Sequence, residues 1–320
     1  MIEYILFAIG IFLLIKGAGF LVDSSSSMAS KFGISKLAIG LTVVAFGTSL
    51  PELIVNVYAS LKGTTDIAFG NIMGSNIANI LLILGIGAII TTIKFKKSTI
   101  WKEIPFTLLA AVVFFLLCNK TAIDGIKNGY VTRTDGLIML SFFLIFIYYI
   151  FELAKDRELD VVKDVEIKES SNLAIFLKLF GGVIALYLGG KWVVDGTVYA
   201  ATQFGISQLL ISSTIVAVGT SLPELVTSLV ALKKKEMELS VGNIVGSNIF
   251  NIFFIIPAAA LIAPLGVPAL INFDFAFLIA ATLLLFSFMF AGEKHQLKRW
   301  QGVSFLAIYA AYIAFLIFRG

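Results

Sequence analysis

The chain has 320 residues, of which 59% are hydrophobic and only 14% charged, more apolar surface than one soluble core can cover. The net charge of +4 comes from basic residues scattered among short connections, which excludes a nucleic-acid footprint. One cysteine, Cys118, and one histidine, His295, exclude a disulfide framework and offer no metal-ligand spacing.

Continuous apolar runs predict membrane helices rather than the alternating strands of a barrel. In chain order they are 2–28, 37–61, 67–90, 104–117 and 136–153, then 173–201, 209–232, 239–262, 275–290 and 301–318. The fourth and ninth are short. The first is too long for a signal-peptide core and has no basic residues before it, so it is a span. Residues 155–172 form the only long polar connection, with six acidic residues interleaved with four basic ones. They lack the glycine and ligand spacing of an EF-hand loop and read as a solvated linker. The chain thus divides into a first five-helix half, 1–154, the cytoplasmic linker, 155–172, and a second half, 173–320. With both termini outside, 17 of the 24 Lys and Arg residues fall on cytoplasmic connections and 5 on external ones, the bias that sets orientation.

Residues 33–80 return as 205–252 without a gap, and 26 of the 48 aligned residues are identical. Each copy holds GTSLPEL followed by GNIxGSNIxNI. Gly17 and Asp23 match Gly189 and Asp195 at the same offset of 172. Because each half has an odd number of spans, the copies enter the membrane from opposite sides. The expected fold is an all-α polytopic membrane protein, ten transmembrane helices in two inverted five-helix repeats with discontinuous ion-binding helices.

Glu52 and Glu224 fall near the middle of their predicted helices, where an unpaired carboxylate is expensive. Two facing carboxylates are best relieved by a cation or by proton uptake. Pro51 and Pro223 remove the hydrogen bonds to the carbonyls of Gly47 and Gly219, and Thr48, Ser49, Thr220 and Ser221 add hydroxyl oxygens beside them. In the next helix Ser75 and Asn79 share a face, as do Ser247 and Asn251. Gly70, Gly74, Gly242 and Gly246 permit close approach of a neighbouring helix. Together these groups describe an oxygen-only cage suited to a hard cation such as Ca²⁺ rather than to zinc or copper.

At these residues the chain resembles the sodium/calcium exchanger family of the cation/calcium antiporter superfamily, across both halves. The resemblance implies an antiporter of Na⁺ and Ca²⁺ in the cell membrane, with no cofactor, no catalytic residue and a monomer as the functional unit. It implies a calcium site of Glu52, Glu224, Thr48 and Thr220. Flanking sodium sites would be completed by Ser49, Ser75, Ser221, Ser247 and the carbonyls of Ala45 and Ala217, with Asn79 and Asn251 facing the centre. Potassium-dependent relatives carry Asp at one of those two asparagine positions, so potassium cotransport is disfavoured here. The proton-coupled branch places Glu after Gly-Asn where this chain has Ile72 and Ile244, which favours sodium; a proton-coupled Ca²⁺ antiporter is the alternative. A channel fits inverted broken helices less well, and an enzyme lacks both HExxH and a His base. For Asp23 and Asp195 the sequence leaves cation attraction and packing open.

Overall fold

The computed structural model describes residues 2–125, 129–155, 171–204 and 217–319. Eight helices in it are long and apolar enough to cross a bilayer, and one bent pair makes a ninth candidate span. In chain order they are α1 (Ile2–Phe32), the pair α2 (Lys36–Thr48) and α3 (Leu50–Lys62), α4 (Thr65–Ile90), α5 (Thr99–Cys118), α6 (Arg133–Lys155), α7 (Asn172–Gln203), α9 (Met237–Ile262), α10 (Ile271–Phe288) and α11 (Arg299–Arg319), with α8 (Leu222–Lys233) preceding α9. The expected seventh span, 209–232, lies partly outside the described residues, and its described part is the turn Ala217–Gly219 followed by α8. The fourth and ninth spans are longer or begin earlier than hydropathy indicated, because α5 starts at Thr99 and α10 at Ile271. The protein is an all-helical integral membrane protein whose outer helices present apolar side chains such as Leu144, Tyr148 and Phe151 outward.

Helices α4 and α9 form the centre, with 78% and 83% of their apolar windows buried against 17–39% in the other single-helix spans. These are the two helices that carry GSNxxN. Each contains a π-helical turn starting at its last motif asparagine, Asn79–Ile83 and Asn251–Ile255, a distortion common at functional sites. Phenylalanines lock α6 onto α9, with ring centroids 5.0 Å apart for Phe143 and Phe250 and 5.3 Å for Phe142 and Phe253.

The longest helices, α1 and α7, have 31 and 32 residues; at 1.5 Å per residue each is about 47 Å long, more than a hydrocarbon core of about 30 Å. They cross antiparallel on bare backbone. A Cβ added at Gly17 would lie 2.8 Å from the Gly182 carbonyl, and one at Gly189 would lie 2.8 Å from that of Gly10. Shifting either contact by 172 residues gives the other. Gly242 and Gly246 do the same for α9 against α2, since a Cβ there would meet the Leu37 carbonyl at 2.9 Å and the Leu41 carbonyl at 2.7 Å. The segment matching α2 in the second half is 208–220, of which 208–216 lie outside the described residues.

Two short antiparallel ladders, which the apolar pattern does not reveal, tie the halves together. Ile93–Lys94 (β1) pairs with Gln296–Leu297 (β4), and Tyr130–Val131 (β2) with Leu265–Gly266 (β3). Both link the end of a central helix in one half to the entry of the last helix in the other.

Polar ties gather at the α8–α9 hairpin. Lys234 meets Asp23 at 2.6 Å, Lys36 meets Glu236 at 2.7 Å, and the Ser26 hydroxyl donates to Glu236 at 2.9 Å. Asp23 is therefore an ion-pair partner holding α1 to the end of α8. Asp195 instead lines a notch with Glu3 and Tyr199.

Candidate cation-binding site

The sequence GTSLPE breaks a helix and restarts it. Helix α2 ends at Thr48, Ser49 sits outside helical geometry with φ −84° and ψ 9°, and α3 begins at Leu50 with Pro51 in its first turn, at a bend of 48°. Proline is well tolerated there because the first helical N–H groups have no internal partner. Ser221, Leu222 and Pro223 repeat the arrangement at the start of α8.

This corrects the reading of the two acids. Glu52 and Glu224 are not in mid-helix but in the first turns of α3 and α8, where the positive end of the helix dipole and unpaired N–H groups favour a negative charge. Both are buried, with relative exposures of 0% and 1%.

Hydrogen bonds cross between the halves around these acids. The Ser49 hydroxyl donates to Glu224 Oε1 at 2.9 Å and approaches Ser247 Oγ at 3.0 Å; Ser247 Oγ lies 3.4 Å from the same carboxylate oxygen. Asn251 Nδ2 donates to Ser75 Oγ at 3.1 Å and to Asn76 Oδ1 at 3.2 Å, while Asn79 Nδ2 donates to Asn248 Oδ1 at 2.9 Å. Thr48, Ser49, Ser75, Ser221, Ser247, Asn79 and Asn251 are all buried, and Thr220 is half-buried. Ala45 offers its carbonyl to the Ser49 N–H at 3.0 Å and the Thr48 hydroxyl at 3.2 Å, so it is not a bare ligand. Ala217 opens the turn before α8, and there the Ser221 N–H bonds Val218 O instead.

Six buried oxygens in this group lack a hydrogen-bond partner: Glu52 Oε1 and Oε2, Glu224 Oε2, Ser221 Oγ, Asn79 Oδ1 and Asn251 Oδ1. One orphan acceptor costs about 1–3 kcal/mol, so a cluster of them demands an explanation. All six are hard oxygen donors and three of them belong to the two carboxylates, which fits a hard cation.

Sequence reasoning missed a second tier. Asn71, Asn76, Asn243 and Asn248 are buried, and so are Asn56 and Ser228. Asn71 donates to Thr220 Oγ1 at 2.9 Å, and Thr48 donates to Asn243 Oδ1 at 2.9 Å. The four motif asparagines carried a usable signal, identity between the repeats at fixed spacing. Asn56 and Ser228 differ between the repeats and carried none.

The profile described as "Sodium/calcium exchanger protein" matches residues 2–152 and 174–318. The chain belongs to the sodium/calcium exchanger family. It is 30% identical over 348 residues to the sodium/calcium exchanger MaX1 of Methanosarcina acetivorans, covering 99% of each chain. It is 34% identical over 319 residues to the inner membrane protein YrbG of Escherichia coli, covering 97% of this chain and 95% of that one. A solved structure of the sodium-calcium exchanger NCX_Mj, soaked with Na⁺ and Ca²⁺, superimposes with a TM-score of 0.81 at 32% identity, covering 98% of both chains. Membership makes the chain a transporter-family member with the all-helical polytopic architecture of that exchanger.

Proposed function

We propose that the protein exchanges Na⁺ for Ca²⁺ across the cell membrane by alternating access through the glutamate-centred oxygen cage. The observation that carries this reading is the meeting of two repeat-matched carboxylates with unpartnered hydroxyl and amide oxygens, buried between α3, α4, α8 and α9. Glu52 and Glu224, with Thr48 and Thr220, hold Ca²⁺. Ser49, Ser75, Ser221, Ser247 and the carbonyls of Ala45 and Ala217 complete flanking sodium sites, and Asn79 and Asn251 face the centre.

The full architecture in this reading is ten spans in two inverted repeats, 1–154 and 173–320, joined by the cytoplasmic linker 155–172, with both termini outside and a monomer as the working unit. Support comes from contacts that map onto each other under the 172-residue shift: Gly10 with Gly189 and Gly17 with Gly182, and Thr48 with Asn243 and Thr220 with Asn71. The separate profile matches to each half point the same way.

Ion occupancy drives the switch between outward-open and inward-open states, limited by how differently each ion binds the two. Crossing with an empty cage leaves two uncompensated carboxylates in a low dielectric, a cost that favours exchange over leak. The glycine-lined crossing of α1 and α7 is the surface on which the halves move.

The test is Ca²⁺ uptake into Na⁺-loaded liposomes held in a sodium-free bath, beside a pH-gradient control without sodium. Uptake that requires the outward sodium gradient supports the proposal; uptake that follows only the pH gradient overturns it in favour of proton coupling.

A further inference from the structure

The ion pair between Asp23 and Lys234 has a counterpart under the 172-residue shift, Asp195 on α7 and Lys62 at the end of α3. Only the first pair is made. Lys234 meets Asp23 at 2.6 Å and reaches the Gly19 carbonyl at 3.4 Å. Lys62 instead stands over the ring of Tyr58 in its own helix, 5.7 Å from the centroid, and Asp195 faces the notch lined by Glu3 and Tyr199. Among the described residues neither has an ion-pair partner.

The packing beneath these charges differs in the same sense. Helix α1 lies along α8, where Val226 and Val230 join a cluster with Leu14, Ala18, Leu21 and Val22 of α1. The two valines lead to Lys234 at four-residue spacing, along one side of the helix. Their mates on α3 are Ile54 and Tyr58, leading to Lys62 at the same spacing. Helix α7 does not lie along α3 in the same way, and Ile54 and Tyr58 are 48% and 61% exposed. The stripe that α1 covers on α8 is thus bare on α3 and ends in the unpaired lysine. Of the two polar ties that α1 makes there, the one from Ser26 to Glu236 cannot be copied, because Val198 and Thr64 hold the matching positions. The charge pair can.

We propose that Asp195 and Lys62 are gating residues that form their ion pair in the opposite transport state, when α7 seats on the Ile54 and Tyr58 side of α3 as α1 now seats on α8. Asp23 and Lys234 separate in the same step. The two pairs are alternating latches, one for each face of the membrane, and exchange of interface ion pairs is an established way for packed elements to switch between two arrangements. The proposal rests on the reading of the chain as an inverted-repeat antiporter. It adds residues that touch no transported ion and act only by favouring one state over the other.

The test uses the full chain carrying Cys118→Ala in Na⁺-loaded liposomes, since Cys118 is the only native thiol. The pair Asp23→Cys with Lys234→Cys is expected to be joined at rest by a short, reducible bis-methanethiosulfonate reagent. The pair Lys62→Cys with Asp195→Cys is expected to be joined only while Ca²⁺ uptake is under way, and either link is expected to stop uptake until it is reduced. Charge exchange gives a second measurement that needs no linker. Lys62→Asp and Asp195→Lys are each expected to lower kcat about two- to five-fold, the range that exposed ion pairs produce, and the double variant is expected to restore it. Neither single variant should lower the melting temperature, because the pair is unmade at rest. Failure of the second cysteine pair to link during uptake, or single exchanges that the double variant does not rescue, would overturn the proposal while leaving sodium/calcium exchange intact. Absence of sodium-driven uptake by the unaltered chain would instead remove the functional reading beneath it.

Discussion

The motif around Ser49 and the motif around Ser221 are spelled alike, GTSLPEL in both, but they are bonded differently. Ser49 takes its N–H to Ala45 O and its hydroxyl to Glu224 across the repeat interface. Ser221 takes its N–H to Val218 O, one residue closer along the chain, and its hydroxyl has no partner. As a result Glu224 has one carboxylate oxygen held, while both oxygens of Glu52 are left for a ligand. Identical local chemistry has settled into two arrangements because the neighbours differ.

The strongest way to break that comparison is at the acids themselves. Glu52→Gln and Glu224→Gln are each expected to cut sodium-dependent Ca²⁺ uptake by about a hundred-fold, equivalent to roughly 2.7 kcal/mol of cation binding. Undiminished uptake in either variant removes the cage as the transport site. Gly246→Ala would place a Cβ 2.7 Å from the Leu41 carbonyl and 2.8 Å from Ala45 Cβ, and such overpacking costs about 1–3 kcal/mol, read as a lowered melting temperature in detergent. The same substitution at the repeat mate Gly74 measures how tightly the other half is packed.

The serines sharpen the contrast directly. Ser49→Ala removes the 2.9 Å hydrogen bond to Glu224 Oε1 and leaves that oxygen the longer 3.4 Å contact with Ser247 Oγ, at an expected cost of about 1–3 kcal/mol of stability, whereas Ser221→Ala removes an unpartnered hydroxyl and should leave stability nearly unchanged while weakening sodium dependence. Equal melting temperatures for the two variants would contradict the asymmetry. The smallest effect lies at the matched turns after α3 and α8. Gly63 takes a left-handed φ of 72°, and its mate Lys235 takes φ 63°. Lys235→Gly is expected to stabilise the protein by up to about 1 kcal/mol, the left-handed penalty of a side-chain-bearing residue, checked by thermal unfolding.

Much of the protein is legible in the order of its amino acids alone. The apolar runs and the 172-residue repeat carry the membrane class and the family, because hydrocarbon admits few folds and repeats preserve chemistry. Glu52, Glu224 and their Ser, Thr and Asn neighbours stand out because polar groups in such a setting are costly. What sequence does not supply is which groups touch. That Glu52 sits in a first helical turn, that Asp23 pairs with Lys234, that β1 reaches across to β4, and that Asn56 turns Asn71 toward Thr220 all depend on partners distant in the chain. A hydrogen bond's direction is decided by whichever acceptor lies opposite, and only the tertiary packing of the two halves selects that acceptor.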